Sequence, residues 1–171
     1  VDEADKRLPE RREGEIVLKS DCMLSEYYRR PNVTAEAIRD GWYYTGDMGY
    51  LAEGELFITG RKKDLIIRGG YNVYPREIEE VMYQVPQILE VAVFGIPHDD
   101  LGEEVAAVVV LKEGTEIDTE AIQKFVKERV APYKYPRIIE ILQAPLPKSG
   151  TGKILKKEIR KQYAKPHKPE R

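Results

Sequence analysis

The sequence predicts an α+β fold, with a β-rich first part followed by a small, short mixed sheet covered by helices. Short runs of aromatic and β-branched residues, which favour strands, dominate the first 60 residues. From residue 64 onward the hydrophobic patterns follow the order hairpin, helix, strand, strand, helix, strand, helix. This order is typical of one sheet with helices packed against it.

The first part contains one short predicted helix among strands. The predicted strands cover residues 14–18, 42–45 and 56–59. Glu53-Gly54 is a turn signal between the last two strands, so we expect a hairpin or meander there. Thr34 is a suitable N-cap residue for a helix over residues 35–39.

The second part opens with a small predicted hairpin over residues 65–74, with Gly69-Gly70 at its tip. Pro75 favours the first position of a helix, and Asp118 is the predicted N-cap of another. The remaining predicted elements are strands over residues 91–96, 105–111 and 138–142 and a last helix over residues 153–163. We expect the tail, residues 165–171, to be frayed.

The charge balance argues against a general nucleic-acid binder, because 28 basic and 30 acidic residues leave a net charge of −2. The charge is nevertheless unevenly distributed. Residues 148–171 hold nine Lys or Arg and two Asp or Glu, whereas residues 76–120 hold twelve acidic residues against Arg76 and Lys112. Taken alone, both stretches are typical of solvated helix faces and loops.

The cysteine, histidine and hydropathy patterns exclude further classes of protein. The single cysteine, Cys22, cannot form an internal disulfide, and with only His98 and His167 the sequence predicts no metal site. This composition allows a reducing compartment. The longest apolar run, residues 105–111, is far shorter than the roughly 18 residues that span a membrane, so no transmembrane segment is predicted. Because the chain begins with Val1 rather than Met, we expect it to be part of a longer protein.

Three local clusters carry residues suited to chemistry, and the first covers residues 44–47. A carboxylate such as that of Asp47, held by a tight turn after a strand, can accept hydrogen bonds from the paired 2′ and 3′ hydroxyls of a ribose. An Asp in a turn also commonly caps the local backbone, so the tetrapeptide alone leaves both interpretations open.

The second cluster joins the charged segment 60–64 to the glycines at positions 69 and 70. The three consecutive cations are compatible with a solvated turn, and Gly69-Gly70 with a plain hairpin tip. Glycines also let a backbone pass close to a narrow ligand, since they have no Cβ.

The third cluster is the glycine-rich loop 146–153, which ends in Lys153. It is not a Walker A loop, because Pro147 stands where a glycine is required and Ile154 where Ser or Thr is required. What remains is a lysine on a glycine-flanked loop. Its ammonium is a point charge suited to a phosphate, or to the charge that develops between a carboxylate and a phosphate.

In this order and spacing the clusters resemble the C-terminal motifs of adenylate-forming enzymes, which include acyl-CoA synthetases, peptide-synthetase adenylation domains and luciferases. The resemblance runs from about residue 14 to residue 163. The motifs are GEI at 14–16, YYTGD at 43–47, GRKKD at 60–64, GGYNVYPREIE at 69–79 and PKSGTGK at 147–153. The fourth motif is most similar to that of long-chain fatty acyl-CoA ligases.

The resemblance implies two half-reactions. A carboxylate attacks the α-phosphate of ATP to give acyl-adenylate and pyrophosphate, and the thiol of CoA then attacks the adenylate to give a thioester and AMP. At the matching positions, Asp47 and Arg61 contact the ribose hydroxyls, and Lys153 is the catalytic lysine of the first half-reaction.

The resemblance also implies a moving domain. Residues 1–62 correspond to the β-rich end of a large N-terminal AMP-binding domain, and residues 63–171 to a mobile C-terminal domain. Lys63 matches the hinge between them. For the second half-reaction, rotation removes Lys153 from the site and brings in the Gly69-Gly70 loop, which lines the pantetheine tunnel.

Three further cations are candidates for contact with CoA phosphates. Lys134 is the main candidate, accompanied by Arg137 and Lys148. Simple surface solubility explains these three residues equally well, so the sequence leaves both interpretations open.

The implied function is that of a fatty acid–CoA ligase present here as its C-terminal portion, with fatty acid, ATP and CoA as substrates. In the family, the Mg²⁺-binding glutamate, most of the ATP site and the acyl pocket precede these motifs. We therefore expect the missing N-terminal domain as a partner and an inactive chain by itself. We also expect a cytoplasmic location, with peripheral membrane contact still allowed. Two alternatives stay open: an adenylation domain that loads a carrier protein, and a free-standing, non-catalytic binding module.

Overall fold

The computed structural model describes residues 1–163, which form two compact units that divide between Lys63 and Asp64. The predicted α+β class is confirmed, because each unit is built on a sheet with accompanying helices. Among these residues, no helix is long and apolar enough to cross a membrane. The predicted fraying of residues 165–171 lies outside the described residues. The assignment of residues 1–62 and 63–171 to parts of two domains stays a prediction.

The first unit is an antiparallel sheet around one long strand. Its elements are β1 (Gly14–Leu18), α1 (Pro31–Ala37), β2 (Ile38–Arg39), β3 (Trp42–Ala52) and β4 (Glu55–Arg61). Strand β3 pairs with β1, β2 and β4. It turns into β4 at Glu53-Gly54, where both residues have a positive φ of 55° and 80°. The predicted strands and hairpin are therefore confirmed, although β3 and β4 are longer than their sequence signals.

Helix α1 begins earlier than predicted, at Pro31, with Arg30 at its N-cap position. Pro31 suits the first turn, because its fixed φ is helical and its missing N–H is not needed there. The hydroxyl of Thr34 donates to the carbonyl of Arg30 (3.0 Å) and accepts from the N–H of Tyr27 (2.9 Å). The prediction that Thr34 caps a helix over residues 35–39 is therefore wrong, since Thr34 lies inside the helix and ties it to the preceding segment.

Strand β3 continues through residues 44–47, so the prediction of a tight turn at these residues is also wrong. The strand is nevertheless distorted at this point. Gly46 has a φ of 71°, and in the pairing with β1, residues 45–47 of β3 lie opposite the single residue Ile16. The pairing of β3 with β4 also shifts register, between Met48 and Gly49, where β4 has an extra residue, Thr59. A Cβ on Gly49 would lie 2.3 Å from the carbonyl oxygen of Phe57, so only glycine fits. The Thr-Gly-Asp signal therefore marks a bulged strand rather than a chain reversal.

The second unit is a mixed five-stranded sheet. Its elements are β5 (Ile66–Arg68), β6 (Tyr71–Val73), α2 (Pro75–Met82), β7 (Ile88–His98), β8 (Gly102–Leu111), α3 (Thr119–Lys127), β9 (Ile138–Leu142) and α4 (Lys156–Gln162). Strands β7 and β8 form a long antiparallel pair, and β9 lies parallel to β8. Strand β5 pairs with β8 and carries β6 on its other side. The element order and the mixed sheet are as predicted.

Strands β7 and β8 separate two apolar layers, because alternate residues of a strand point to opposite faces. On one face, Val93 belongs to a buried cluster with Ile78 of α2 and Ile122 of α3. On the other face, Phe94 clusters with Leu146 and with Ile159 of α4. Because both faces of β8 are buried, residues 105–111 are all apolar instead of alternating between apolar and polar.

Helix α4 begins at Lys156, three residues later than predicted. The N–H of Leu155 donates to the carbonyl of Pro147 (2.8 Å), and Lys148 and Ile154 form an antiparallel bridge. These contacts commit residues 153–155 to closing the loop instead of extending the helix. Lys153 therefore lies in the loop itself.

Candidate functional site

The first unit brings together the two residues predicted to bind a ribose. Asp47 on β3 lies opposite Arg61 on β4, and Arg61 Nε is 2.8 Å from Asp47 Oδ1. The Asp47 side chain is 29% exposed, so it is oriented by Arg61 and still reachable from solvent. A carboxylate in this state can accept further hydrogen bonds from hydroxyl groups.

Hydroxyl groups fix the backbone around Asp47. The N–H of Asp47 donates to Thr45 Oγ1 (3.0 Å), and the Thr45 hydroxyl donates to the carbonyl of Ile16 on β1 (2.7 Å). The hydroxyls of Tyr43 and Tyr27 lie 3.1 Å apart, and this hydrogen bond, together with burial, raises the pKa of Tyr43. The part of β3 that leads to Asp47 is thus anchored by the hydroxyl groups of Tyr43 and Thr45.

The three consecutive cations at positions 61–63 have different surroundings. Arg61 pairs with Asp47, and Lys62 Nζ lies 2.7 Å from Glu15 Oε2 on β1. Lys63 is exposed, sits in a single 3₁₀ turn (Lys62–Asp64), and is the last residue of the first unit. No acidic side chain pairs with Lys63 within residues 1–163. The segment is therefore more than a solvated turn, since two of its cations are tied to the sheet.

Gly69 and Gly70 form the tip of the β5–β6 hairpin, with φ values of 55° and 82°. The N–H of Gly69 donates to the carbonyl of Leu101 (2.8 Å), and a Cβ on Gly69 would lie 3.3 Å from a Leu101 methyl carbon. A Cβ on Gly70 would meet nothing within 4 Å. The tip is thus held on the Gly69 side and open on the Gly70 side.

The hairpin tip lies beside Lys134. Tyr71, the residue after Gly70, stacks on Tyr133 with ring centroids 4.6 Å apart. Lys134 Nζ lies 2.8 Å and 2.7 Å from the two carboxylate oxygens of Glu77 on α2, and its side chain is 19% exposed. Lys134 is therefore already paired.

The sequence alone did not identify Glu77 and Tyr133 as neighbours of Lys134. The Pro-Tyr-Lys-Tyr-Pro segment, in which two aromatic residues flank a lysine, was a signal that could have indicated Tyr133.

The Lys153 loop is closed by its own hydrogen bonds. The N–H of Ser149 donates to the carbonyl of Lys153 (2.8 Å), and the N–H of Gly152 donates to the carbonyl of Ser149 (2.8 Å). The N–H of Lys153 donates to Ser149 Oγ (3.2 Å). The Lys153 side chain is exposed, and no acidic residue pairs with its ammonium in the described part of the chain.

Ion pairs fix both ends of this loop. At its start, Lys148 pairs with Glu90 of β7, which also accepts the N–H of Leu146 (2.9 Å). The hydrogen bond from Lys148 lowers the pKa of Glu90. After the loop, Lys156 Nζ lies 2.6 Å from Glu79 Oε1 on α2. The ammonium of Lys153, which has no acidic partner within residues 1–163, therefore lies between two anchored cations.

The structure thus groups the predicted site residues into separate sets. Asp47 contacts Arg61 in the first unit, whereas in the second unit Gly69-Gly70 lies near Lys134 and Lys153 stands in its own loop. Within residues 1–163 no group of three or more His, Cys, Asp or Glu side chains could hold a metal ion.

Comparisons with known proteins identify the family that this chain resembles. Residues 77–153 match the AMP-binding enzyme C-terminal domain. The chain is 46% identical over 155 residues to a long-chain-fatty-acid–CoA ligase of Bacillus subtilis, covering 90% of this chain and 28% of that protein. It is 42% identical over 149 residues to a 2-succinylbenzoate–CoA ligase of Geobacillus kaustophilus, covering 86% of this chain and 30% of that protein.

A solved structure shares the fold over almost the whole chain. ATP-bound MatB from Rhodopseudomonas palustris matches with a TM-score of 0.88 at 38% identity, over 96% of this chain and 33% of that one. The chain thus spans about a third or less of the length of these three proteins. The chain carries an AMP-binding enzyme C-terminal domain and belongs to the adenylate-forming acyl-CoA ligase family.

Proposed function

We propose that this chain is the C-terminal portion of an ATP-dependent, AMP-forming fatty acid–CoA ligase that acts on long-chain fatty acids. In the first half-reaction, a carboxylate oxygen of the fatty acid attacks the α-phosphorus of ATP, and pyrophosphate leaves. In the second, the sulfur of CoA attacks the acyl carbon of the adenylate, AMP leaves and the thiol proton is released. The rest of the ATP site and the acyl pocket belong to a preceding domain of the same enzyme.

The pairing of Asp47 with Arg61 is the observation that carries the proposal. Arg61 orients the carboxylate from 2.8 Å, yet the Asp47 side chain stays 29% exposed. In the proposed complex, the 2′ and 3′ hydroxyls of the ATP ribose donate to this carboxylate. Hydrogen bonds to a charged group are worth about 1.5–3 kcal/mol each, so an oriented carboxylate contributes strongly to binding ATP.

Lys153 is the proposed catalytic lysine of adenylate formation. Its ammonium is exposed, while the neighbouring Lys148 and Lys156 are engaged with carboxylates of the second unit. Because Lys153 breaks no ion pair among the described residues when it moves toward a ligand, it can stabilise the negative charge shared by the attacking carboxylate and the α-phosphate.

Lys63 and the Gly69-Gly70 tip are proposed to serve the second half-reaction. Lys63 is exposed and ends the first compact unit, so a change of its backbone dihedrals can leave its side chain solvated. The open side of Gly70 supports close passage of the pantetheine arm along the backbone. Lys134 reaches a CoA phosphate only by leaving Glu77, which makes it a secondary contact.

The acyl substrate and the acceptor are the finer parts of the proposal. The motif at residues 69–79 and the similarity to the Bacillus subtilis ligase favour a long-chain fatty acid. The similarity to a 2-succinylbenzoate–CoA ligase makes aromatic acids the main alternative to a long-chain fatty acid as substrate. A panel of acids tested with free CoA and with a carrier protein separates the ligase from a carrier-loading adenylation domain.

The first test is Lys153→Ala in the complete ligase. Removing this cation is expected to slow adenylate formation by about 100-fold or more, the usual effect of losing one group that stabilises a transition state. ATP–pyrophosphate exchange measures this step. Thioester formation from preformed acyl-adenylate and CoA is expected to be unchanged, because Lys153 has left the site by then.

Lys157→Ala is the matched control, since Lys157 is another exposed lysine of the same basic stretch. It is expected to leave both half-reactions intact. Equal loss of both half-reactions in Lys153→Ala contradicts the assigned role. The 171-residue chain alone is expected to form no acyl-CoA, and formation of AMP that depends on fatty acid and CoA would overturn that part of the proposal.

A further inference from the structure

Strand β8 carries a buried charge in an otherwise apolar setting. Glu104 is 7% exposed, the one charged residue buried to this degree in the described part of the chain, and it is followed by buried apolar residues. Arg68, the last residue of β5, donates to it twice, from Nε to Oε1 (2.5 Å) and from Nη2 to Oε2 (3.0 Å). The Arg68 side chain is itself only 15% exposed.

The Glu104 carboxylate has its hydrogen bonds satisfied and stays ionised. The N–H of Val105 donates to Oε1 (2.8 Å). Burial raises the pKa of Glu104, but the hydrogen bonds from Arg68 and Val105 outweigh burial, so the pKa lies below its usual value. Replacing such a buried pair by apolar residues is often neutral for stability. Its two parallel hydrogen bonds do, however, fix a definite geometry.

The ion pair fixes the position of Arg68, the residue directly before Gly69-Gly70. Strand β5 meets β8 at one paired position, Arg68 opposite Gly102. The further links are the N–H of Gly69 to the carbonyl of Leu101 (2.8 Å) and the N–H of Ile67 to the carboxylate of Glu103 (2.9 Å). Ile66 and Val73 of the hairpin are also buried in the apolar core. Because the ladder is so short, the bidentate pair adds a directional contact between the hairpin and β8 that apolar packing does not supply.

We propose that Arg68 and Glu104 are positioning residues that hold the Gly69-Gly70 hairpin on β8 in the orientation required for thioester formation. The inference rests on the proposed function, in which Gly69-Gly70 lines the path of CoA. Neither side chain touches the substrate in this scheme. Because the hairpin has no part in adenylate formation, losing the pair impairs the second half-reaction and leaves the first.

The test replaces the pair by apolar residues, Arg68→Met with Glu104→Leu, so that no charge stays buried and unpaired. The matched control is Arg76→Met with Glu80→Leu, an exposed ion pair of 2.8 Å on α2. Hydrogen exchange of the amides at residues 66–73 is measured in the 171-residue chain. Both half-reactions and the melting temperature are measured in the complete ligase.

The hairpin amides of the Arg68/Glu104 variant are expected to exchange at least about tenfold faster than those of the control, because a local anchor is lost. With preformed acyl-adenylate, kcat/KM for CoA is expected to fall at least about tenfold. ATP–pyrophosphate exchange and the melting temperature are expected to stay unchanged. Arg68→Lys alone keeps the charge and is expected to retain part of the thioester-forming activity.

Unchanged exchange in the hairpin overturns the proposal. Parallel loss of both half-reactions with a lower melting temperature also overturns it, since that pattern indicates a merely structural pair. A wild-type ligase that performs neither half-reaction counts against the proposed function instead. In that case the exchange measurement still decides whether Arg68 and Glu104 hold the hairpin.

Discussion

Asp47 shows how the role of one residue depends on the register of its strand. From Ala52 to Gly49, the residues of β3 face Glu55 to Ile58 of β4 in regular order. Continued without change, that register would put Asp47 opposite Gly60. The shift between Met48 and Gly49 moves Arg61 into that place instead. The bulge therefore creates the Asp47–Arg61 pair.

The sequence identified Asp47 and Arg61 separately, each through its motif, but it could not show that they pair. Their contact depends on the register shift between Met48 and Gly49, where β4 has the extra residue Thr59 and where a Cβ on Gly49 would collide with the carbonyl of Phe57. Such a close approach involves a residue of the neighbouring strand, so no pattern within β3 reports it. The same limit explains why a strand was taken for a turn.

Asp47→Asn in the complete ligase is expected to raise KM for ATP by about 10- to 100-fold, because hydrogen bonds to a charged acceptor become bonds to a neutral one. The change also removes the ion pair that orients Arg61. Steady-state kinetics with varied ATP measures the effect. Glu55→Gln is the control, since this exposed carboxylate lies on the same hairpin. An unchanged KM for ATP in Asp47→Asn contradicts a ribose contact.

The local sequence predicts the start of a helix correctly where the capping contacts come from residues adjacent in the chain. Pro75 and Asp118 start α2 and α3 as predicted, and Oδ1 of Asp118 accepts the N–H of Ala121 (2.6 Å). The errors arise where distant segments intervene. Thr34 accepts the N–H of Tyr27 inside α1 instead of capping that helix. The N–H of Leu155 donates to the carbonyl of Pro147, and α4 begins at Lys156 rather than at the predicted residue 153.

Asp118→Ala is expected to lower the free energy of unfolding of the second unit by about 1 kcal/mol, the usual cost of losing an N-cap. Asp118→Asn retains an acceptor and is expected to cost much less. Urea unfolding followed by far-UV circular dichroism measures the loss. Trp42, the single tryptophan, lies in the first unit, so its fluorescence transition serves as an internal reference.

Glu113→Ala provides a matched control, because Glu113 is an exposed carboxylate in the loop between β8 and α3. It is expected to change stability little. If Asp118→Ala and Glu113→Ala lower stability equally, capping is not what Asp118 contributes.

At the scale of the second unit, the uneven charge of the sequence has a structural cause. Cations of the basic stretch 148–171 pair with carboxylates of the acidic stretch 76–120, as in Lys148–Glu90, Lys156–Glu79 and Arg160–Glu103. The interpretation of both stretches as solvated faces was therefore incomplete. The sequence could not show this, because each pair joins residues far apart in the chain. The pairing also leaves the ammonium of Lys153 without a partner among the described residues.

The Lys148–Glu90 pair makes the stability of the second unit depend on pH. The pKa of Glu90 lies below its ordinary value of 4.5, because Lys148 and the N–H of Leu146 favour the ionised form. A lowered pKa means that the stabilisation is fully present above about pH 4.5 and is lost as pH falls through the folded-state pKa. The free energy of unfolding is therefore expected to decrease as the solution is acidified below that point.

Glu90→Gln keeps an acceptor for the N–H of Leu146 but cannot bind a proton, so it is expected to make this acid-induced decrease shallower. One proton contributes a slope of at most about 1.4 kcal/mol per pH unit. Urea unfolding at a series of pH values below neutrality measures the difference. Glu116→Gln, an exposed carboxylate of the same acidic stretch, is expected to leave the slope unchanged. Identical slopes in wild type and Glu90→Gln would mean that Lys148 anchors the loop without depending on the charge of Glu90.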